Sequence, residues 1–298
     1  MSVYGKTRSA LQEHHLAPKK KFGQNFLVHR HTAEAIVRAG EIGPDDVIVE
    51  VGVGLAALTI PLARTARQVV GIEIDSGIIR FHEQEHDLPD NVTLLHQDIL
   101  KTDFDELERR CGGRLKIMAN LPYSISNPFI FKLIDNRRHV EKATVMLQKE
   151  VADRLLAGPG SKDYGIPSVL LQHCARVRKM MTLSPAEFHP QPKIDSVVIR
   201  ISFPLDQDRP RTLSSEESEL FTRIVRAAFS QRRKTILNTL TSAIFFPALP
   251  DRNDVKKMTE DAIIAAGLSP RVRPETLPIA AFEELSRSFH RCLADTGR

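Results

Sequence analysis

Six short runs rich in β-branched residues punctuate the first two thirds of this chain: VIVEV (47–51), VVGIEI (69–74), VTLLH (92–96), LKIMA (115–119), ATVML (143–147) and VVIRIS (197–202). Between the first five lie stretches of about 15 to 20 residues, the length that a right-handed crossover helix needs between parallel strands. That alternation predicts an open, mostly parallel α/β sheet with its ligand crevice at the carboxyl ends of the strands. The segment PLDQDRP (204–210) ends the pattern. Beyond it, 216–229, 233–244 and 282–293 carry apolar residues at three- and four-residue spacing, which predicts a small helical domain. The expected division is a basic arm over 1–30, a sheet domain over 31–205 and a helical domain over 206–298.

Charge is unevenly spread. Residues 1–30 hold Lys6, Arg8, Lys19, Lys20, Lys21 and Arg30 against Glu13, a net +5 that equals the formal excess of the whole chain. A basic arm on an otherwise balanced body suits contact with a polyanion. No window approaches 18 uninterrupted apolar residues, and the first 30 residues lack the pattern of a secretory signal. A cytoplasmic protein that does not enter a membrane is expected. Cys111, Cys174 and Cys292 are far apart and lack CxxC spacing, so neither a disulfide framework nor a cysteine-ligated zinc site is indicated.

The first strand opens into EVGVGLAALT (50–59), with glycines at Gly52 and Gly54 and Ala57 three residues on. Glycines there let the backbone turn sharply and approach a ligand closely. Glu73 ends the second strand, 21 residues beyond Gly52, where a carboxylate can take both hydroxyls of a ribose. That much fits NAD and S-adenosylmethionine equally. Asp98, after the third strand, can accept from an exocyclic adenine amine, and no basic residue near Gly52 would neutralise a pyrophosphate. Acidic neighbours, Glu50 among them, suit a sulfonium cation, so S-adenosylmethionine is the expected cofactor. Ile74 and Ile99, beside those acids, complete this part of the expected site.

The fourth strand runs into NLPYSISNP (120–128). An exocyclic amine on adenine is a poor nucleophile because its lone pair is delocalised into the ring. Hydrogen bonds from that amine to the Asn120 side-chain oxygen and the Leu121 carbonyl would favour a pyramidal nitrogen, while Pro122 stiffens the turn and Tyr123 stacks on the base. Such a site needs alignment more than a strong general base. It would hold a flipped-out or single-stranded nucleotide.

With these motifs in hand, the chain resembles the KsgA-type rRNA adenine N6-dimethyltransferases over nearly its whole length. KKKFGQNFL (19–27) looks like that family's N-terminal signature, and the resemblance implies that Gln24, Asn25 and Leu27 fold over the methionine end of the cofactor. NLPYSIS is similar to its catalytic motif. FHPQPKIDS (188–196) resembles the motif whose leading aromatic, here Phe188, would sandwich the target adenine opposite Tyr123. AFSQRRKTILN (228–238) resembles a stretch associated with rRNA engagement, which makes Arg232, Arg233 and Lys234, with Lys19–Lys21, the expected RNA contacts. The resemblance implies a Rossmann-like methyltransferase sheet and dimethylation of two adjacent adenosines in the 3′-terminal hairpin of 16S rRNA within the immature small ribosomal subunit. It also implies a monomer without a metal. Two other readings compete: a large-subunit rRNA adenine methyltransferase, and a non-catalytic RNA-binding assembly factor. Val53 and Ala56 depart from the family's usual Gly-Pro-Gly-x-Gly loop. HEQEH (82–86) matches a zinc-protease pattern but offers no third ligand, and reads as a solvated helix face.

Overall fold

A computed structural model describes residues 25–205, 213–231, 233–243, 245–246 and 251–296. They divide into two compact units. One comprises the described chain up to Ala152 together with Cys174–Pro204, and the other comprises Asp153–His173 and the chain from Leu205 onward.

The first unit is built on a seven-stranded sheet of β2 (Val47–Val51), β3 (Gln68–Glu73), β4 (Val92–His96), β5 (Leu115–Asn120), β6 (Val140–Gln148), β7 (Arg176–Leu183) and β9 (Ser196–Ser202), in the order β4-β3-β2-β5-β6-β9-β7. The β4, β3, β2, β5 and β6 strands are parallel; β9 runs antiparallel to both β6 and β7. The chain builds outward from β2 to β4 and then returns to place β5 against the other side of β2. The carboxyl ends of β2 and β5 therefore flank a topological switch point, where α/β sheets open a crevice.

Helices α1 (Arg30–Ala39), α2 (Thr59–Thr65), α3 (Ser76–Glu85), α4 (Phe104–Cys111) and α5 (Ser126–Asp135) lie between the strands. Two begin on side-chain caps: Asp75 accepts from the Gly77 amide at 2.8 Å and Asp103 from the Asp105 amide at 2.9 Å. Each satisfies one of the amides a helix start leaves unpaired. The core joins α1, α2 and the sheet through buried Ile36, Val37, Ile48, Leu62, Val69 and Val198.

Three strands lie outside the expected set. The β7 strand (RVRKMMTL) is mostly exposed at the sheet edge, where charge rather than alternation is what a strand needs. A separate two-residue pairing joins β1 (Phe26–Leu27) to β8 (Phe188–His189), with Leu27 opposite Phe188. It brings two motifs about 160 residues apart in sequence onto one edge.

Helices α6 (Lys149–Leu156) and α7 (Ile166–Cys174) follow β6, and in the second unit α8 (Ser215–Ala228) starts on a capping box between Ser214 and Glu217. Further helices are α9 (Ile236–Thr241), α10 (Arg252–Ala265) and α11 (Ile279–Thr296). The stretch 153–173, expected in the sheet domain, clusters with these helices instead. The Tyr164 hydroxyl, fully buried, donates to the Leu277 carbonyl at 3.0 Å, and His173 Nδ1 faces Glu283 at 2.9 Å. No described helix is long and apolar enough to cross a membrane.

Candidate active site

A cleft of about 240 Å³ opens at the switch point. Asn25, Leu27, Gly52, Gly54, Glu73, Ile74, Asp98, Ile99 and Asn120 all line it, and so do Leu121, Pro122, Tyr123 and Phe188. Gln24 lies outside the described residues.

The glycine loop is shaped for close approach. Gly52 has φ of 80° and Gly54 of 54°, a region costly for side-chain-bearing residues. A Cβ at Gly52 would sit 3.0 Å from the Asn120 carbonyl oxygen, so the loop and the end of β5 touch backbone to backbone. Val53, where the family usually has proline, is buried against Gly71: a Cβ there would come within 2.6 Å of Val53 Cγ2. Ala56 is fully buried in the left-handed region at φ 61°.

Two carboxyl groups stand under this loop. Glu73 is 4% exposed; its Oε2 accepts from the Gly54 amide at 3.1 Å and its Oε1 from the Asp75 amide at 2.9 Å. Each carboxylate oxygen keeps a second lone-pair direction for a ligand hydroxyl. Burial holds the Glu73 carboxyl above the usual range. Glu50 is fully buried, neither of its oxygens makes a hydrogen bond of normal geometry to a described residue, and burial, opposed by the neighbouring Thr59 hydroxyl, pushes it up to about 8. An orphaned buried carboxyl lining a cleft is costly unless something cationic comes to meet it. In the sequence Glu50 reads only as an acidic neighbour of the glycine loop, and its place two residues before Gly52 is the signal that marks it.

Across the cleft, Asp98 Oδ1 accepts from the Leu100 amide at 2.9 Å, which fixes the carboxyl after β4. Ile74 is 44% exposed at the rim, an apolar shelf beside Glu73.

Asn120 is the last rung of β5, paired with Met146 of β6, so the ladder sets its position. Its Nδ2 donates to the Asn25 carbonyl at 3.2 Å, and no described residue donates to its Oδ1. The Pro122 carbonyl accepts from the Ile125 amide at 3.1 Å, closing a tight turn after the strand. Tyr123, half-buried, places its hydroxyl 3.3 Å from Ser196 Oγ. Phe188 is 3% exposed and joins the core cluster while lining the cleft. Glu187 locks the N-terminal segment alongside: its carbonyl accepts from the Val28 amide at 3.0 Å and its Oε2 from Thr32 Oγ1 at 2.6 Å.

HEQEH does not lie on a solvated helix face throughout. The His82 side chain is buried, with Nε2 2.8 Å from the Gly54 carbonyl and Nδ1 2.7 Å from Asp87. His86 ends α3 in a left-handed conformation at φ 48°.

Of the expected RNA contacts, Lys19–Lys21 and Arg232 lie outside the described residues; Arg233 and Lys234 are exposed in the turn between α8 and α9. Lys234 lines a polar cavity of about 420 Å³ in the helical unit, with Gln231, Asn238, Arg252 and Lys256 among its other walls.

A parallel sheet with a glycine loop, an acid at the end of the next strand and one antiparallel strand, β9, inserted beside the edge strand β7 defines a Rossmann-like methyltransferase of the S-adenosylmethionine-dependent class. Over 90% of this chain and 98% of its own, a dimethyladenosine transferase from Plasmodium falciparum superposes with a TM-score of 0.71 at 26% identity. The 23S rRNA methyltransferase ErmE shares the fold, with a TM-score of 0.64 at 22% identity over 89% of this chain and all of its own. Residues 16–259 match the profile of the ribosomal RNA adenine dimethylase family, and the chain belongs to that family. It is 60% identical to ribosomal RNA small subunit methyltransferase A of Desulfotalea psychrophila over 98% of both chains. It is 40% identical to the protein of the same name from Geobacillus thermodenitrificans over 96% of this chain and 95% of that one.

Proposed function

We propose that this protein transfers methyl groups from S-adenosylmethionine to the N6 amines of two adjacent adenosines in the 3′-terminal hairpin of 16S rRNA, dimethylating each during small-subunit assembly. The family membership and the near full-length likeness to small-subunit methyltransferases support the substrate class. The cleft supports the chemistry.

The residues present fit the cofactor. Glu73 would hold the ribose hydroxyls, Asp98 the adenine amine and Ile74 a face of the adenine ring. The orphaned Glu50 carboxyl suits a ligand carrying positive charge. Bound there, the cofactor supplies an electrophilic methyl group on a sulfonium sulfur.

What remains for the protein is to orient the nucleophile and exclude water. The single observation that carries this reading is the orientation of Asn120: its nitrogen is tied to Asn25, so its oxygen is the atom left to accept from a target amine. A second acceptance by the Leu121 carbonyl would draw that amine toward tetrahedral geometry and direct its lone pair along the line of attack. The transferred methyl leaves the amine carrying an extra proton, which is acidic enough to pass to water without a strong base. Tyr123 and Phe188 would hold the base as aromatic walls. The same geometry accepts a mono-methylated amine, which still has one N–H to give.

The experiment is incorporation of labelled methyl from S-adenosylmethionine into immature small subunits lacking the modification, followed by mass spectrometry of the 3′ end of 16S rRNA. Dimethylation at two neighbouring adenosines is expected, with none in large subunits. Absence of label in the small subunit would overturn the reading.

A further inference from the structure

We propose that His82 is a positioning residue for the cofactor, clamping the Gly54 peptide from the side opposite Glu73 while Asp87 holds the other ring nitrogen. The proposal rests on the cofactor reading above and extends it to a residue outside the cleft lining.

Gly54 is one of two glycines at positive φ in the loop, and side chains fix both of its flanking peptide planes. Glu73 Oε2 receives its N–H at 3.1 Å, which sets the plane before the Cα. His82 Nε2 meets its carbonyl oxygen at 2.8 Å, which sets the plane after it. Because a trans peptide is planar, holding the Gly54 carbonyl toward α3 directs the Leu55 N–H the opposite way. The φ of 54° at Gly54 and the contacts of Leu55 and Phe26 with Ile78 and Phe81 follow from that setting.

A carbonyl oxygen only accepts, so the ring presents its Nε2–H to Gly54. Nδ1 faces Asp87 Oδ1 at 2.7 Å, so both ring nitrogens are engaged and the ring plane is fixed from two sides. The sequence provides for this in six residues, HEQEHD (82–87). His82 presents the ring, His86 turns the chain in its left-handed conformation, and the turn returns Asp87 to the ring it has just passed. The other end of α3 is tied to the same site, since the Asp75 amide donates to Glu73 Oε1 at 2.9 Å. The helix thus brackets the loop, holding Glu73 at its start and Gly54 at its end. This answers what the histidines of the zinc-like motif do: one positions a peptide and the other ends a helix.

The test uses His82→Leu, which keeps an apolar side chain of similar bulk and removes both ring nitrogens, and Asp87→Asn, which keeps the shape and removes the carboxylate. Binding of S-adenosylhomocysteine is measured by calorimetry on the full chain, alongside steady-state methyl transfer to immature small subunits. The expected result is a dissociation constant raised about tenfold in His82→Leu and several-fold in Asp87→Asn, a matching rise in KM for S-adenosylmethionine, and kcat at saturating cofactor within about twofold of wild type, since one hydrogen bond to the loop is at stake. Folded variants with wild-type affinity and only a lowered melting temperature would overturn the proposal and make His82 a core filler. If His82→Leu does not fold, unchanged affinity in Asp87→Asn overturns it alone. A wild-type protein that binds no S-adenosylhomocysteine removes the cofactor reading itself, a distinct failure visible before any variant is made.

Discussion

Asn120 Nδ2 donates to the backbone carbonyl of Asn25 at 3.2 Å, a bond that joins the last rung of the central sheet to the segment entering β1. One amide group thereby has its polarity assigned by the scaffold. Replacing it tests scaffold and chemistry separately. Asn120→Ala removes the acceptor and is expected to lower kcat by roughly a hundredfold or more, the scale on which one preorganised polar contact to a transition state acts. Asn120→Asp keeps an oxygen at the acceptor position but sets a carboxylate oxygen against the Asn25 carbonyl, so it is expected to recover little. Single-turnover methyl transfer checks both, and S-adenosylhomocysteine affinity should change less than kcat in each. Near-normal transfer by Asn120→Ala would remove the mechanism.

The parallel sheet, its switch point and the residues at the strand ends were legible because each rests on a local signal: β-branched runs, glycines after β2, an acid after β3, an amide after β5. What was not legible depends on pairings that have no periodicity. The two-residue β1 and β8 strands are too short to alternate, yet they put Leu27 opposite Phe188. The β7 strand reads as charged because it is an edge. The assignment of 153–173 to the helical unit turns on long-range bonds such as Tyr164 to Leu277. His82 reads as a surface residue because its neighbours in sequence are charged, whereas its side chain is buried against the glycine loop, 28 residues upstream.

Glu50 makes a pH prediction whose sign follows from linkage. Its carboxyl is pushed from an ordinary 4.5 up to about 8, so the folded protein holds a proton there that the unfolded chain has released. Stability from this group is full below pH 4.5 and is lost as pH rises toward 8. Glu50→Gln mimics the protonated form. The melting temperature of the variant minus that of the wild type should therefore be small at pH 5, grow to about pH 8 and level off above it. A difference that stays constant across this range would show that the Glu50 carboxyl is not held neutral. Saturation with S-adenosylmethionine should narrow the difference at high pH, because the cation stabilises the ionised wild-type group and not glutamine.

Gly71 and Val53 form a second testable pair. A Cβ at Gly71 would lie 2.6 Å from Val53 Cγ2, closer than side chains tolerate, and 3.0 Å from Leu94 Cδ2, a tight contact that the end of a leucine can relieve. Gly71→Ala is expected to cost about 1–3 kcal/mol by overpacking and to weaken cofactor binding by shifting the loop. Adding Val53→Ala opens the space on the nearer side and should recover part of both losses, in a double-mutant comparison of chemical denaturation and S-adenosylhomocysteine affinity. Strictly additive losses would mean that the two side chains do not meet.

Ala56 carries backbone strain rather than steric crowding of the cleft. At φ 61° a side-chain-bearing residue sits in the left-handed region, at a cost of about 1–2 kcal/mol, while glycine at the same position loses more chain entropy on folding. The two effects oppose each other. Ala56→Gly is therefore expected to be neutral to mildly stabilising, by up to about 1 kcal/mol, where alanine to glycine elsewhere destabilises. Urea unfolding measures it, and a clear loss of stability would mean that the alanine methyl makes packing contacts worth more than the strain.

The helical unit makes the prediction about RNA. Lys234, Arg252 and Lys256 converge on one polar cavity between the start of α9 and the first turns of α10, and Arg233 is exposed beside it. No carboxylate is among the described lining residues, cations so gathered suit phosphate oxygens, and each phosphate neutralised releases counterions, so affinity should fall steeply with salt. Lys234→Gln and Lys256→Gln, made singly, are each expected to weaken binding of the small-subunit RNA and to reduce the slope of log affinity against log salt by about 1. S-adenosylhomocysteine affinity should be unchanged in both, since neither residue lines the cleft. Binding measured by filter retention between low and physiological salt decides it: slopes equal to wild type in both variants would mean that this cavity faces away from the RNA.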